Sequence, residues 1–425
     1  MSAFDKVIGY DAIKDELLRI CDMLKNPEKY KKLGASLPGG ILLKGDPGLG
    51  KSLTAKCFLE ECALPSFTLR RTLGRDEFIK EIARVFSEAK QQAPSVVLLD
   101  DLDKFADTER PGENAGEYVA VQAGIDEVKG TGVFVLATAN ETDCLPDSLT
   151  RPGRFDRWII FSPPENEDAE KIIRHYLADK PLSPDVSFEN LAKMISYSSC
   201  AELEAVLNDA ASSAAFAGKE SIGMAELIRS VLNMLFPVSS YRMSHPDRER
   251  IALHEAGHLV VKEITDPGSV GFACIRPSRK QGETGGCIHS WRKHSFSDLS
   301  SELTCLLAGK AAVELFFGQD VGCTNDLDQA VDLILAYYSD LASGGFSLLP
   351  INGSPFRNPS DALTLRNETA LHSELEKALL RAKEILLENR EFLMDVNRAL
   401  LEKEILLYSD IRSLYESNRN RKKAV

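Results

Sequence analysis

Ile41-Leu-Leu-Lys44-Gly45-Asp46-Pro47-Gly48-Leu49-Gly50-Lys51-Ser52-Leu53 joins a short apolar strand, a glycine-spaced turn and the start of a helical stretch that continues to Glu61. The spacing is G-x-x-x-x-G-K-S in strand-loop-helix context. Glycines at these positions let backbone N–H groups wrap a phosphate, the lysine neutralises β and γ oxygens, and the serine ligates Mg²⁺. Asp46, Pro47, Gly48, Leu49, Gly50, Lys51, Ser52 and Leu53 are therefore candidate contacts for ATP or ADP with Mg²⁺. Residues 41–160 alternate short apolar runs with amphipathic stretches, the pattern of a parallel sheet covered by helices.

Further along, Ser95-Val-Val-Leu-Leu99 is a second buried strand and ends in Asp100-Asp101. In a Walker B strand the first acid holds Mg²⁺ through water and the second polarises the attacking water, which gives Asp100 and Asp101 those roles. A third strand, Val133-Phe-Val-Leu-Ala137, runs into Thr138-Ala-Asn140, and Arg151-Pro-Gly-Arg154-Phe-Asp-Arg157 follows. Together these segments resemble the AAA module of the AAA+ ATPases. The opening Val7-Ile8-Gly9-Tyr10 is similar to that family's adenine-contacting start, so the resemblance places Ile8 and Gly9 at the base. It also implies that Asn140 orients the hydrolytic water, and that Arg151 and Arg154 are arginine fingers reaching the ATP of a neighbouring subunit. Fingers that work in trans imply a homo-oligomeric ring, a hexamer.

Residues 163–237 carry no strand signal and read as a helical lid, with helices over 168–178, 188–195, 200–217 and 222–235. Ser198-Ser-Cys-Ala201-Glu is where such lids enter the helix that touches the base, although Cys-Ala-Glu departs from the usual Gly-Ala-Asp. The stretch 236–246 carries two prolines, Pro237 and Pro246, and several small polar residues, which marks 238–246 as a linker. Beyond it, in 247–425, lies His254-Glu255-Ala-Gly-His258. At helical pitch the two histidines share one face and can bind one Zn²⁺, with Glu255 placed to take a proton from a water activated by the metal.

An AAA module of residues 1–162 with its lid, followed by His-Glu-Ala-Gly-His, resembles the FtsH family of ATP-dependent zinc metalloproteases. That resemblance covers residues 5–416. It implies a multidomain chain: an α/β P-loop ATPase with a helical lid, then a mostly α-helical zinc metalloprotease domain with a small β-hairpin. It makes Asp326, in Thr324-Asn325-Asp326, the third zinc ligand, with one zinc per subunit, and it makes unfolded or tagged proteins the substrates. Glu314 stands where the family has a glutamate supporting the site, and it reads equally as a surface charge. The hairpin spans 270–275 and 285–291, and its strand Gly286-Cys-Ile-His289 can offer an edge to an extended substrate. His289 and His294 match no ligand position. Residues 343–366 read as a long loop, with packing helices over 368–389 and 392–402.

A net charge of −13 and the absence of a basic cluster before the terminal residues argue against nucleic acid as a partner. No apolar run approaches a membrane span, so the expectation is a soluble, cytoplasmic chain, or a membrane-anchored one where a transmembrane region precedes it. Two departures from the family pattern bear on activity. Asp101 stands in place of the usual Glu, which implies slow ATP hydrolysis. The segment Thr68–Ile82 is short, lacks an aromatic-hydrophobic-glycine triplet and offers Phe78 as its aromatic. These two features support an alternative reading as a nucleotide-gated remodelling or adaptor ring with weakened threading or proteolysis.

Overall fold

The computed structural model describes residues 2–106, 115–151, 153–196, 198–235, 245–278, 285–290, 299–318, 323–340 and 361–424. The elements begin with α1 (Asp11–Lys25), α2 (Pro27–Lys31), β1 (Gly40–Lys44), α3 (Lys51–Cys62), β2 (Ser66–Leu69), α4 (Arg75–Gln91) and β3 (Ser95–Leu99). They continue with α5 (Gly116–Val128), β4 (Val133–Ala139), α6 (Asp147–Thr150), β5 (Arg157–Ile160), α7 (Asn166–Leu177), α8 (Phe188–Met194), α9 (Cys200–Phe216) and α10 (Met224–Leu235). After these come α11 (His245–Thr265), β6 (Val270–Ser278), β7 (Gly285–Ser290), α12 (Leu299–Leu306), α13 (Ala308–Phe317) and α14 (Thr324–Asp340). The chain ends with α15 (Asp361–Glu388), α16 (Arg390–Lys403), β8 (Ile405–Leu407) and α17 (Tyr408–Ala424). These fall into two compact units, Met1–Pro184 with Ile195–Ile222, and Asp185–Met194 with Gly223–Val425.

The first unit is built on a parallel sheet of order β2-β3-β4-β1-β5. Alternation along each strand sends side chains to two separate cores. Leu42, Val97, Leu99, Val135 and Ala137 join Phe78, Phe86 and Ile125 of α4 and α5 on one face. Ile41, Leu43, Val96, Leu98, Phe134 and Leu136 join Leu17, Ile20 and Phe58 of α1 and α3 on the other. That double burial explains why the central strands read as unbroken apolar runs. Because the strands are parallel, the turns after β1, β3 and β4 leave the sheet at the same edge, where α/β proteins bind ligands. Strands β2 and β5 were not among those legible in the sequence.

In the second unit α11 buries Ala252, Leu253, Ala256, Leu259, Val260 and Val261 in a core shared with α13, α15 and α16. Gly257 lies at the crossing with α13: a Cβ there would sit 2.5 Å from the Ala308 carbonyl oxygen. The expected hairpin is part of an antiparallel sheet of order β7-β6-β8, in which Ala273 of β6 pairs with Ile288 and with Leu406. Among the described residues this leaves β7 at the edge. Of the segments read as lid, α7 and α9 belong to the first unit, and α8 and α10 to the second.

The sequence expectation of a loop through residue 366 is corrected, since α15 starts at Asp361; residues 341–360 lie outside the described residues. So does the linker 238–246 except for the helical backbone of 245 and 246, and so does His294. Among the described residues no helix is long and apolar enough to cross a membrane.

Candidate functional site

At the edge of the parallel sheet, Gly50 caps α3, whose first turn carries Lys51 and Ser52. The Lys51 ammonium donates to the Gly45 carbonyl (2.6 Å), the Asp46 carbonyl (2.7 Å) and Asn140 Oδ1 (2.8 Å). Burial lowers the Lys51 pKa, against the carboxylates of Asp103, Asp101 and Asp46, which raise it. Asp100 Oδ1 accepts from both the Ser52 and Thr138 hydroxyls, each at 2.9 Å, and Thr138 Oγ1 in turn accepts the Asp101 N–H at 2.9 Å. The hydroxyl and carboxylate that a Mg²⁺ ion would need thus converge beside the lysine. Thr138 had no role in the sequence reading; it ties the first acid to the backbone of the second.

Within the loop, Asp46, Pro47 and Gly48 are exposed, whereas Leu49 is buried in the α1–α3 core, so only its backbone faces outward. Leu53 is 45% exposed. Ala201, at the start of α9, donates its N–H to the Gly48 carbonyl at 3.2 Å. The start of α9 therefore meets the loop after β1 despite its unusual Cys-Ala-Glu. Ile8 is half-buried, and Gly9 packs against Asp168 of α7, which accepts the Tyr10 N–H at 3.3 Å. Of the two arginines, Arg151 is exposed after α6. Arg154 is held by Asp126, with Nε to Oδ1 at 3.1 Å and Nη2 to Oδ2 at 2.7 Å. Phe78 is fully buried against Phe105, so it is not an exposed aromatic.

In the second unit, the i, i+4 spacing on α11 brings His254 and His258 together, their Nε2 atoms 3.0 Å apart. Asp326, in the first turn of α14, presents Oδ2 at 3.0 Å from His254 Nε2 and 3.3 Å from His258 Nε2. Four-coordinate zinc with arms of about 2.0–2.1 Å separates its donors by about 3.3 Å, so two imidazoles and a carboxylate at these spacings fit the ion and leave a fourth position. His258 Nδ1 lies 2.7 Å from the Cys305 carbonyl oxygen, which can only accept; a proton is thereby kept on Nδ1, and Nε2, which faces Asp326, is the ring atom that would give its lone pair to a metal once deprotonated. Burial lowers the His258 pKa, but hydrogen bonding and charge from Asp326 outweigh it and hold the imidazole up at about 9. The same contacts outweigh the burial of Asp326 and hold its carboxyl below the usual range. Glu255 is buried on the adjoining face of α11, 5% exposed.

Two contributors escaped the sequence reading. The Cys305 carbonyl has no signature in residue type. Gly309 on α13 faces the histidines: a Cβ there would lie 2.5 Å from both Nε2 atoms. Its only trace is a glycine inside a helical run. Glu314 is partly buried and pairs with Lys310 at 2.9 Å and Lys383 at 2.6 Å. The backbone of His289 lies in β7, and its side chain is outside the described residues.

Residues 41–163 match the family described as ATPase family associated with various cellular activities (AAA), and residues 241–414 match Peptidase family M41. The chain is 33% identical to the ATP-dependent zinc metalloprotease FtsH of Caldicellulosiruptor bescii, over 97% of this chain and 71% of that one. It is 32% identical to FtsH 1 of a Thermoanaerobacter species over 95% and 71% of the two chains. With FtsH of Streptococcus pneumoniae the identity is 29%, over 98% and 68%.

Proposed function

The chain belongs to the FtsH family of ATP-dependent zinc metalloproteases, and from that premise we propose how its residues divide the work. It is an ATP-dependent zinc metalloprotease: an AAA unit that uses nucleotide and an M41 unit that hydrolyses peptide bonds in proteins. Residues 1–162 and 163–237 serve as nucleotide-binding subdomain and lid, 238–246 as linker and 247–425 as protease. Lys51 and the 46–53 loop hold the phosphates, with Ile8 and Gly9 at the base. Ser52 and Asp100 hold Mg²⁺, and Asp101 and Asn140 position the attacking water. Six subunits form a ring in which Arg151 and Arg154 reach the neighbour's ATP.

The observation that carries the protease assignment is the convergence of His254, His258 and Asp326 with Glu255 beside them. One zinc ion per subunit, held by the first three, supplies Lewis acidity toward the scissile carbonyl. Glu255 takes the proton from the attacking water and returns it to the leaving amine. His258 keeps its Nε2 donor in place through the Cys305 carbonyl. The edge position of β7 lets an extended substrate add as a further strand, which makes backbone rather than side chains the main recognition element.

Casein degradation with and without ATP, compared between the wild type and Glu255→Gln, tests this reading. The variant is expected to lose at least about a hundredfold in cleavage while keeping its zinc and its ATP turnover. Equal cleavage by both proteins would reject Glu255 as the base; no cleavage by either would favour the remodelling-ring reading.

A further inference from the structure

We propose that Cys21 and Cys62 are a site of reversible thiol oxidation, where hydrogen peroxide closes a disulfide that staples α1 to α3 in the ATPase unit.

The pair arises from two helices whose first turns lie toward the nucleotide site. α3 begins with Lys51 and Ser52, and α1 starts directly after Tyr10. Deeper in the core, Cys21 of α1 reaches the last turn of α3. Its Sγ lies 3.9 Å from the Phe58 carbonyl oxygen and 2.9 Å from Cys62 Sγ. A disulfide bond is about 2.0 Å long, so the two sulfurs need to approach by only about 0.9 Å, which small side-chain rotations supply. Both cysteines are buried, at 2% and 1% exposure, among Leu17, Leu24 and Phe58. Neighbouring contacts hold the segments in place: Lys25 Nζ donates to the Glu61 carbonyl, and Glu61 Oε2 accepts the Ala3 N–H at 2.8 Å.

Cys62 is the last residue of α3, and Ala63 after it is in the left-handed region (φ 52°). Helix ends open locally at little free-energy cost, which admits a molecule as small as hydrogen peroxide. Hydrogen bonding from Cys62 and burial push the Cys21 thiol up, which leaves the first attack to Cys62. The Cys62 sulfur bonds to one peroxide oxygen, the O–O bond breaks, and water leaves with the thiol proton. The Cys21 sulfur then bonds to the Cys62 sulfur, the S–O bond breaks, and a second water carries off the remaining proton. Two thiols are oxidised and one peroxide is reduced to two waters. The new bond spans 41 residues of sequence, including β1 and the phosphate loop, and it restricts the unfolded chain more than the folded one.

The test treats the full chain with hydrogen peroxide, maps its peptides by mass spectrometry and follows thermal unfolding. A peptide pair joined through Cys21 and Cys62 is expected, with a rise of about 5–15 °C in the midpoint of the ATPase unit. Dithiothreitol should reverse both, and affinity for a fluorescent ATP analogue should not change. Cys21→Ala and Cys62→Ala should each abolish the joined peptides and the rise; the reduced and oxidised wild type decide the matter even where a variant folds poorly. Oxidation that leaves Cys21 and Cys62 unjoined would overturn the proposal. So would a joined pair with an unchanged or lower midpoint, because the bond would then strain the helices rather than staple them.

Discussion

Gly309 shows how little of a metal centre need consist of ligands. Its α-hydrogen faces the gap between His254 and His258, and a methyl group there would lie 2.5 Å from the two Nε2 atoms, closer than any non-bonded carbon and nitrogen approach. Gly309→Ala must therefore displace one imidazole. We expect zinc affinity to fall by about ten- to a hundredfold, the usual effect of disturbing groups that orient a ligand. The fold should survive, because alanine favours a helix over glycine by about 1 kcal/mol. A chelator competition titration measures the first and thermal unfolding of metal-free protein the second. Wild-type affinity in the variant would refute the steric argument. Neither the need for this gap nor the Cys305 carbonyl could be foreseen, since both depend on how α13 and α12 approach α11, whereas the His254, His258 and Asp326 set was legible through residue type and family resemblance.

Among the elements, α11 and α13 approach closely because Gly257 presents only hydrogen to the Ala308 carbonyl and the Ala312 methyl, which would stand 2.5 and 2.7 Å from a Cβ at that position. Gly257→Ala would have to push the helices apart against backbone, a rigid obstacle. The expected cost is about 1–3 kcal/mol, seen as a lower midpoint for unfolding of the protease unit, together with reduced zinc binding as Gly309 withdraws. An unchanged midpoint would show that the crossing can relax freely. Elements with a local signature were readable in advance: β1, β3 and β4 as short apolar runs, and the i, i+4 histidines of α11. Elements defined by distant partners were not. Ile405–Leu407 is three apolar residues between helices, and it becomes β8 only because β6 offers Phe272, Ala273 and Cys274 as partners. Among the described residues β5 is paired on one side only, with β1, and it exposes Trp158 and Ile160, so its sequence lacks the unbroken apolar run of a central strand.

For the whole molecule, the decisive matter is how nucleotide turnover becomes pulling force on a substrate. The resemblance to the FtsH family implies that a loop between β2 and α4 grips the substrate in the proposed ring; here that segment, residues 70–74, carries Arg70, Arg71 and an exposed Leu73 but no aromatic ring. Phe78, the nearest aromatic on the α4 side, is 0% exposed and packs edge-on against Phe105 with ring centroids 4.9 Å apart. It belongs to the core of the ATPase and cannot grip a polypeptide. Phe78→Ala should thus cost about 3–5 kcal/mol of stability in that unit, and ATP turnover and proteolysis should fall together with Tm. A variant with unchanged Tm and turnover but no proteolysis would identify Phe78 as a gripping residue and refute this placement. A grip without an aromatic ring transmits little force, so the wild type should degrade loosely folded casein in the presence of ATP and leave a stably folded protein bearing an unstructured tail intact. Comparing the two substrates by gel at equal ATP turnover settles the point: equal degradation would mean that Arg70, Arg71 and Leu73 suffice for forceful threading, whereas loss of the tail alone is what a weak grip in front of a working protease produces.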